Sequence, residues 1–156
     1  MRRWQTYHCT GWKVGYCIAP RALAAELRKV HQYLTFSTMT PAQFDFARFI
    51  TAAPEHYRDL PAFYQAKRDR FCEVLRHARF CLRPARGTYF QLLDYSELAD
   101  CDDADYADQL TAKAGVASIP ISVFYRRPPP RQRLLRFCFA KADLTLEQAG
   151  ERLCAL

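Results

Sequence analysis

Leu134-Leu135-Arg136-Phe137-Cys138-Phe139-Ala140 alternates along its length, and a period of two residues makes it a strand with two unlike faces. Leu135, Phe137 and Phe139 fall on one side, Arg136, Cys138 and Ala140 on the other. Working outward, Phe80 to Arg83 and Thr88 to Asp94 flank a turn from Pro84 to Gly87 and read as paired strands. Asp102 to Ala114 has helical spacing with Gly115 as its C-terminal stop. Val116 to Ile121 is a further strand, and Thr145-Leu146-Glu147-Gln148 caps a last helix running to Leu156. The second half is therefore strand, strand, helix, strand, strand, helix, an α+β module.

The first half has a different rhythm. Val14 to Ala19 is a short apolar strand stopped by Pro20. Leu23, Leu27, Val30, His31 and Leu34 then recur at three- and four-residue steps, which makes a helix from Arg21. After a breaker at Ser37 to Thr40, Thr40-Pro41-Ala42-Gln43 forms a capping box for a helix to about Ala52, ending near Pro54. Pro61 to Ala78 reads as the longest helix, through Phe63, Tyr64, Lys67, Phe71, Val74, Leu75 and Ala78. A single strand cannot satisfy its own backbone groups, so Val14 to Ala19 calls for a partner.

With 156 residues, half of them apolar and 14% aromatic, the chain has the size and composition of a globular domain. It has no apolar run long enough to span a bilayer and no signal-peptide core after Met1-Arg2-Arg3-Trp4, so it reads as soluble and cytoplasmic, without a membrane partner. Seven cysteines lack any C-x-x-C spacing and suit reduced, small core side chains. The formal charge of +7 is scattered, and its dense cluster, Arg126 to Arg133, is broken by three prolines. That composition marks an exposed connector rather than a nucleic-acid surface.

Two side chains invite chemistry. The planar fork of Arg136 can take a carboxylate bidentately, or the residue can sit on a solvated sheet edge. Lys13, at a turn with Thr10 and the Gly11 backbone nearby, can meet a phosphate or be an ordinary surface lysine. His8, His31, His56 and His77 show no metal spacing. No Ser/His/Asp arrangement and no Gly-rich phosphate loop is present, so no metal ligand is assigned.

QTYHCTGWKVGY (residues 5–16), TMTPAQ (38–43), GTYFQLLDYS (87–96), GVASIPISVFY (115–125) and LLRFCFAK (134–141) resemble, in that order, the C-terminal part of fold-type I aminotransferases that depend on pyridoxal phosphate (PLP). Methionine and kynurenine aminotransferases are the nearest group. The resemblance covers residues 5–156. It implies an α/β family fold represented by its C-terminal portion: residues 1–60 as the tail of the large, PLP-binding domain, and residues 61–156 as an α+β small domain with its long linking helix. It further implies transamination between an amino acid, such as methionine or an aromatic one, and a 2-oxo acid, with PLP as cofactor. A homodimer or pairing with an N-terminal half is the implied assembly.

Two family roles carry over. Lys13 matches the cation that meets the cofactor phosphate, and Arg136 matches the arginine that grips the substrate α-carboxylate. The Schiff-base lysine of the family would fall at position 5, where this chain has Gln5. An amide nitrogen cannot add to an aldehyde or act as the base, so no catalytic residue is assigned and the chain alone is expected to be inactive. The alternative is a non-enzymatic interaction module that pairs with a separately encoded N-terminal half or a paralogue.

Overall fold

The computed structural model describes residues 8–156, so Gln5 lies outside the described residues. The chain divides into two compact units, Met1–Pro61 and Ala62–Leu156.

In the first unit, a 3-10 turn at Thr10–Trp12 leads to helix α1 (Arg21–Leu34) and helix α2 (Thr40–Ala52). Pro20 stands at the N-cap of α1, where its missing N–H is no loss. The Leu23, Leu27, Val30 and Leu34 stripe is present, but no residue of α1 is buried. Helix α2 starts at Thr40 with Met39 as its N-cap, one residue earlier than the capping box indicates. Gln43 Nε2 reaches back to the Thr38 carbonyl at 3.0 Å instead of to the cap. Val14, Ala42 and Phe46 are the buried apolar side chains of this unit among the described residues, and Trp12 packs edge-on against Phe46. The expected strand at Val14 to Ala19 is not formed: it is reduced to one bridge at Tyr16, and Ile18 is exposed. Among the described residues no neighbouring strand completes a ladder along it.

Helix α3 (Pro54–Val74) is the longest and begins seven residues before the expected start at Pro61, which lies inside it. Pro54 occupies the first turn, where a proline gives up no hydrogen bond, and the helix absorbs the one bond that Pro61 forgoes. Strands β1 (Cys81–Leu82), β2 (Phe90–Asp94), β3 (Ile119–Pro120) and β4 (Leu134–Cys138), with helices α4 (Asp103–Ala114) and α5 (Asp143–Cys154), complete the second unit. The sheet order is β1-β2-β4-β3, antiparallel throughout.

Register fixes the faces. Leu92 opposes Arg136 and Leu93 opposes Leu135, so Gln91, Leu93, Leu135 and Phe137 point to the core while Phe90, Leu92, Arg136 and Cys138 share the other face. The core face packs with Phe71 and Leu75, with Tyr106 and Leu110 of α4, and with Leu146 and Leu153 of α5. Val116 to Ile121 contributes only Ile119–Pro120 to the sheet, because a proline cannot extend a ladder and is confined to an edge.

Three local devices hold these elements. Gly115 caps α4 in the left-handed conformation at φ 65°, and its carbonyl accepts from Arg152. Gly150 lets α5 approach α3, since a Cβ there would lie 2.7 Å from Val74 Cγ2. Gln91, buried on β2, accepts from the Ala85 amide at 3.0 Å and donates to the Arg83 carbonyl at 2.8 Å. It thereby serves backbone groups just past the end of β1.

Helix α5 starts at Asp143, with Ala142 as N-cap, and not at the Thr145 box. Lys67 explains the earlier start: its Nζ donates to the Lys141 carbonyl at 2.8 Å and to Asp143 Oδ1 at 3.0 Å, tying the entry of α5 to α3. None of the seven cysteines is buried, so the expectation of core side chains fails: each sits at an intermediate or exposed position. Among the described residues no helix is long and apolar enough to cross a membrane.

Candidate functional site

β4 runs between β2 and β3, so Arg136 stands on an interior strand and the sheet-edge reading does not apply. Its neighbours along the strand on that face are Cys138, small as the alternation indicates, and Leu134, which is larger. Aromatic groups arrive from elsewhere. The Phe90 ring lies 4.1 Å from Arg136 Cζ and the Phe124 ring 4.5 Å, and these two aromatics give the cation favourable π faces.

Phe90 comes from β2, Phe124 from the 3-10 turn Ser122–Phe124 that follows β3, and Arg136 from β4. Three of the sequence motifs, GTYFQLLDYS, GVASIPISVFY and LLRFCFAK, thus meet at one guanidinium. Arg136 Nε is buried and without a hydrogen-bond partner, and no ion pair to Arg136 occurs among the described residues. A buried, unpaired donor on a permanent cation is costly unless an acceptor arrives. A carboxylate matches the fork in charge and plane.

Around this face, Tyr64 has its phenol raised above the ordinary value, chiefly by burial, with Tyr89 and Cys138 adding to the effect. Its ring lies 5.7 Å from that of Tyr89. Burial likewise raises the phenol of Tyr95, with the charges of Cys101 and Asp103 adding and that of Arg133 opposing; its ring stacks on Tyr106 with centroids 4.3 Å apart and its hydroxyl donates to the Cys101 carbonyl at 2.8 Å.

Lys13 belongs to the first unit and Arg136 to the second, and each is described within its own. Lys13 follows the Thr10–Trp12 turn, is exposed, and takes φ 53°. A left-handed backbone at a residue with a Cβ is uncommon and stores strain, which is often found where a side chain or amide is aimed at a ligand. The adjoining Val14 is buried and anchors the segment. The Arg126 to Arg133 connector is irregular and exposed through Arg131, while Arg133 ends in an ion pair with Asp100.

Sequence spacing located Arg136 and Lys13 but missed Phe90 and Phe124 as partners of the arginine. The available signal was that each aromatic sits in a motif beside Arg136's strand in the sheet order, which only the long-range pairing reveals.

The chain matches the family described as aminotransferase class I and II over residues 6–153. It is 53% identical over 149 residues to methionine aminotransferase of Escherichia coli, covering 96% of this chain and 38% of that protein. To kynurenine–oxoglutarate transaminase of Dictyostelium discoideum it is 32% identical over 172 residues, covering 97% and 40% respectively. Among solved structures, an Escherichia coli protein whose crystal structure and reactivity identify a methionine aminotransferase function superposes with a TM-score of 0.90 at 52% identity, covering 98% of this chain and 40% of that one. N-succinyldiaminopimelate aminotransferase of Mycobacterium tuberculosis superposes with a TM-score of 0.85 at 33% identity, covering 96% and 39%. The chain therefore spans about two fifths of the length of these relatives. Its fold is that of the C-terminal portion of the PLP-dependent aminotransferases, and the chain belongs to the aminotransferase class I and II family.

Proposed function

We propose that these residues form the C-terminal portion of an aminotransferase acting between an amino acid, methionine or an aromatic one, and a 2-oxo acid. Residues 1–60 would be the tail of the large domain and residues 61–156 the small domain. The observation that carries the reading is Arg136, a cation on an interior strand between two aromatic rings, with a buried Nε awaiting an acceptor.

PLP, when bound, supplies an aldehyde carbon and an electron-withdrawing ring. The donor set here fits that cofactor in part. Lys13 would neutralise its phosphate, and Arg136 would hold the substrate α-carboxylate while Phe90 and Phe124 keep water from the faces of the guanidinium. Gln5 does not fit: its amide nitrogen shares its lone pair with the carbonyl, so it can neither form the covalent attachment nor carry a proton to or from the substrate. The chain alone is therefore inactive in transamination. A reducing, cytoplasmic location is the setting in which thiols such as those of Cys17, Cys72, Cys81, Cys101, Cys138 and Cys154 stay free.

The test is to add PLP to the purified chain, look for an absorbance band near the visible edge, and treat with borohydride. No fixed adduct and no turnover is the expected result. A fixed adduct with turnover would overturn the inactivity.

A second reading, an interaction module that pairs with an N-terminal half, a paralogue or a second copy, is favoured by the exposed Leu23, Leu27, Val30 and Leu34 stripe on α1. Co-expression with such a half, followed by sedimentation, tests it. A chain that stays monomeric and binds nothing would remove this reading.

A further inference from the structure

Asp103 is a charged side chain only 4% exposed, and no role proposed above uses it. It lies in the first turn of α4, yet its Oδ2 reaches out of that helix and accepts from the Ser122 amide at 2.7 Å. Ser122 opens the Ser122–Phe124 turn, and the leading amide of such a turn has no partner inside it. The carboxylate supplies that partner, as a short charge-assisted bond.

The turn delivers Phe124. The residue is 57% exposed, so packing does little to hold its ring, and the backbone beneath it must. The amides of Phe124 and Tyr125 close the turn by donating to the Ile121 and Ser122 carbonyls at 3.1 Å and 3.0 Å, and Ile121 is buried. Asp103, the turn and the Phe124 ring thus form one chain of contacts ending on the Arg136 guanidinium, with Phe90 on β2 as the second ring.

We infer that Asp103 is a positioning residue for Arg136: its carboxylate fixes the Ser122–Phe124 turn, and the Phe124 ring, working with Phe90, holds the guanidinium plane ready for a carboxylate. The inference rests on Arg136 as the carboxylate fork. An unclamped arginine must lose its side-chain freedom when an anion binds, whereas a clamped one has lost it beforehand.

The experiment follows the Arg136 Nε–H resonance in the full, nitrogen-labelled chain, identified by its loss in Arg136→Lys, with and without propionate. In the unchanged protein the two rings displace this resonance from the ordinary arginine position, and propionate moves it further in a saturable way. Asp103→Ala should return it towards the ordinary position and weaken propionate binding by roughly tenfold. Asp103→Asn keeps an oxygen that can accept from the Ser122 amide, so it should stay within about threefold of the unchanged protein. Should Asp103→Ala fail to fold, Asp103→Ser decides the matter, because it keeps a polar first turn in α4 but falls short of the amide.

An unchanged Arg136 resonance in the Ala variant, or in the Ser variant standing in for it, overturns the inference. A resonance that moves in the variant while propionate has no effect even on the unchanged protein leaves the clamp in place and removes the carboxylate role of Arg136.

Discussion

In Ala62–Leu156, Leu75, Leu93, Leu135, Leu146 and Leu153 are each 2% exposed or less, whereas in Met1–Pro61 the Leu23, Leu27, Val30 and Leu34 stripe of α1 is 47% to 80% exposed. Both sets follow the spacing of an amphipathic element. Periodicity states which face of an element seeks burial; whether a partner for that face lies within the same stretch of chain is a separate matter. The second unit closes a sheet under three helices and completes its own core, while α1 buries nothing.

The sharpest way to break the contrast is to truncate a core side chain. Leu135→Ala should lower the stability of the second unit by about 2–5 kcal/mol, read as a fall in the urea midpoint of the β2 and β4 amide resonances. Tryptophan fluorescence, which comes from Trp4 and Trp12 in the first unit, serves as the control and should not follow. If both signals shift together, the two units do not behave separately.

A smaller loss, about 1–3 kcal/mol, is expected from overpacking in Gly150→Ala, because the new methyl meets Val74 Cβ at 2.9 Å as well as Cγ2. Val74→Ala in the same chain should restore part of that stability, and a pair of losses that simply add would show that the helices do not touch there.

Acid sensitivity separates the units more gently. Lys67, by hydrogen bond and charge, holds the Asp143 carboxyl below its ordinary range. Its contribution is therefore complete above the unfolded carboxylate value and is lost as pH falls through the lower folded value. Asp143→Asn should lower second-unit stability modestly near neutrality and flatten its acid limb below about pH 4, so that the variant and the unchanged protein converge in acid. A limb of unchanged slope would show the pair to be inert.

The smallest effect belongs to α1. Leu34→Ser should leave stability within about 0.5 kcal/mol while reducing binding of a hydrophobic dye. A larger loss would mean that this face is covered in solution.

Much of this was legible in the sequence where short-range rules suffice. The α1 stripe, the Gly115 stop of α4, and the two faces of β4 follow from spacing and one special backbone position. Elements set by distant partners were not legible. Val14 to Ala19 has strand composition but no ladder among the described residues, and α5 starts at Asp143 because Lys67, far away in sequence, holds it there. Pro61 is ambiguous by nature, since a proline suits a helix start and is tolerated inside a long one. For the site, Arg136 could be singled out because alternation isolates it. Phe90 and Phe124 could not, because their approach depends on the β1-β2-β4-β3 order and on a turn held by Asp103.

Gln91 bears on how faithfully the chain can find this arrangement. A two-residue strand such as β1 offers little to choose among alternative pairings. A slip by one position would carry the Gln91 amide to the opposite face and bring Leu92, which can neither donate nor accept, beside the Arg83 carbonyl and the Ala85 amide. Misaligned pairings would then leave two peptide groups stranded, so a single side chain acts as a proofreader against errors during folding and against swapping this edge with another molecule.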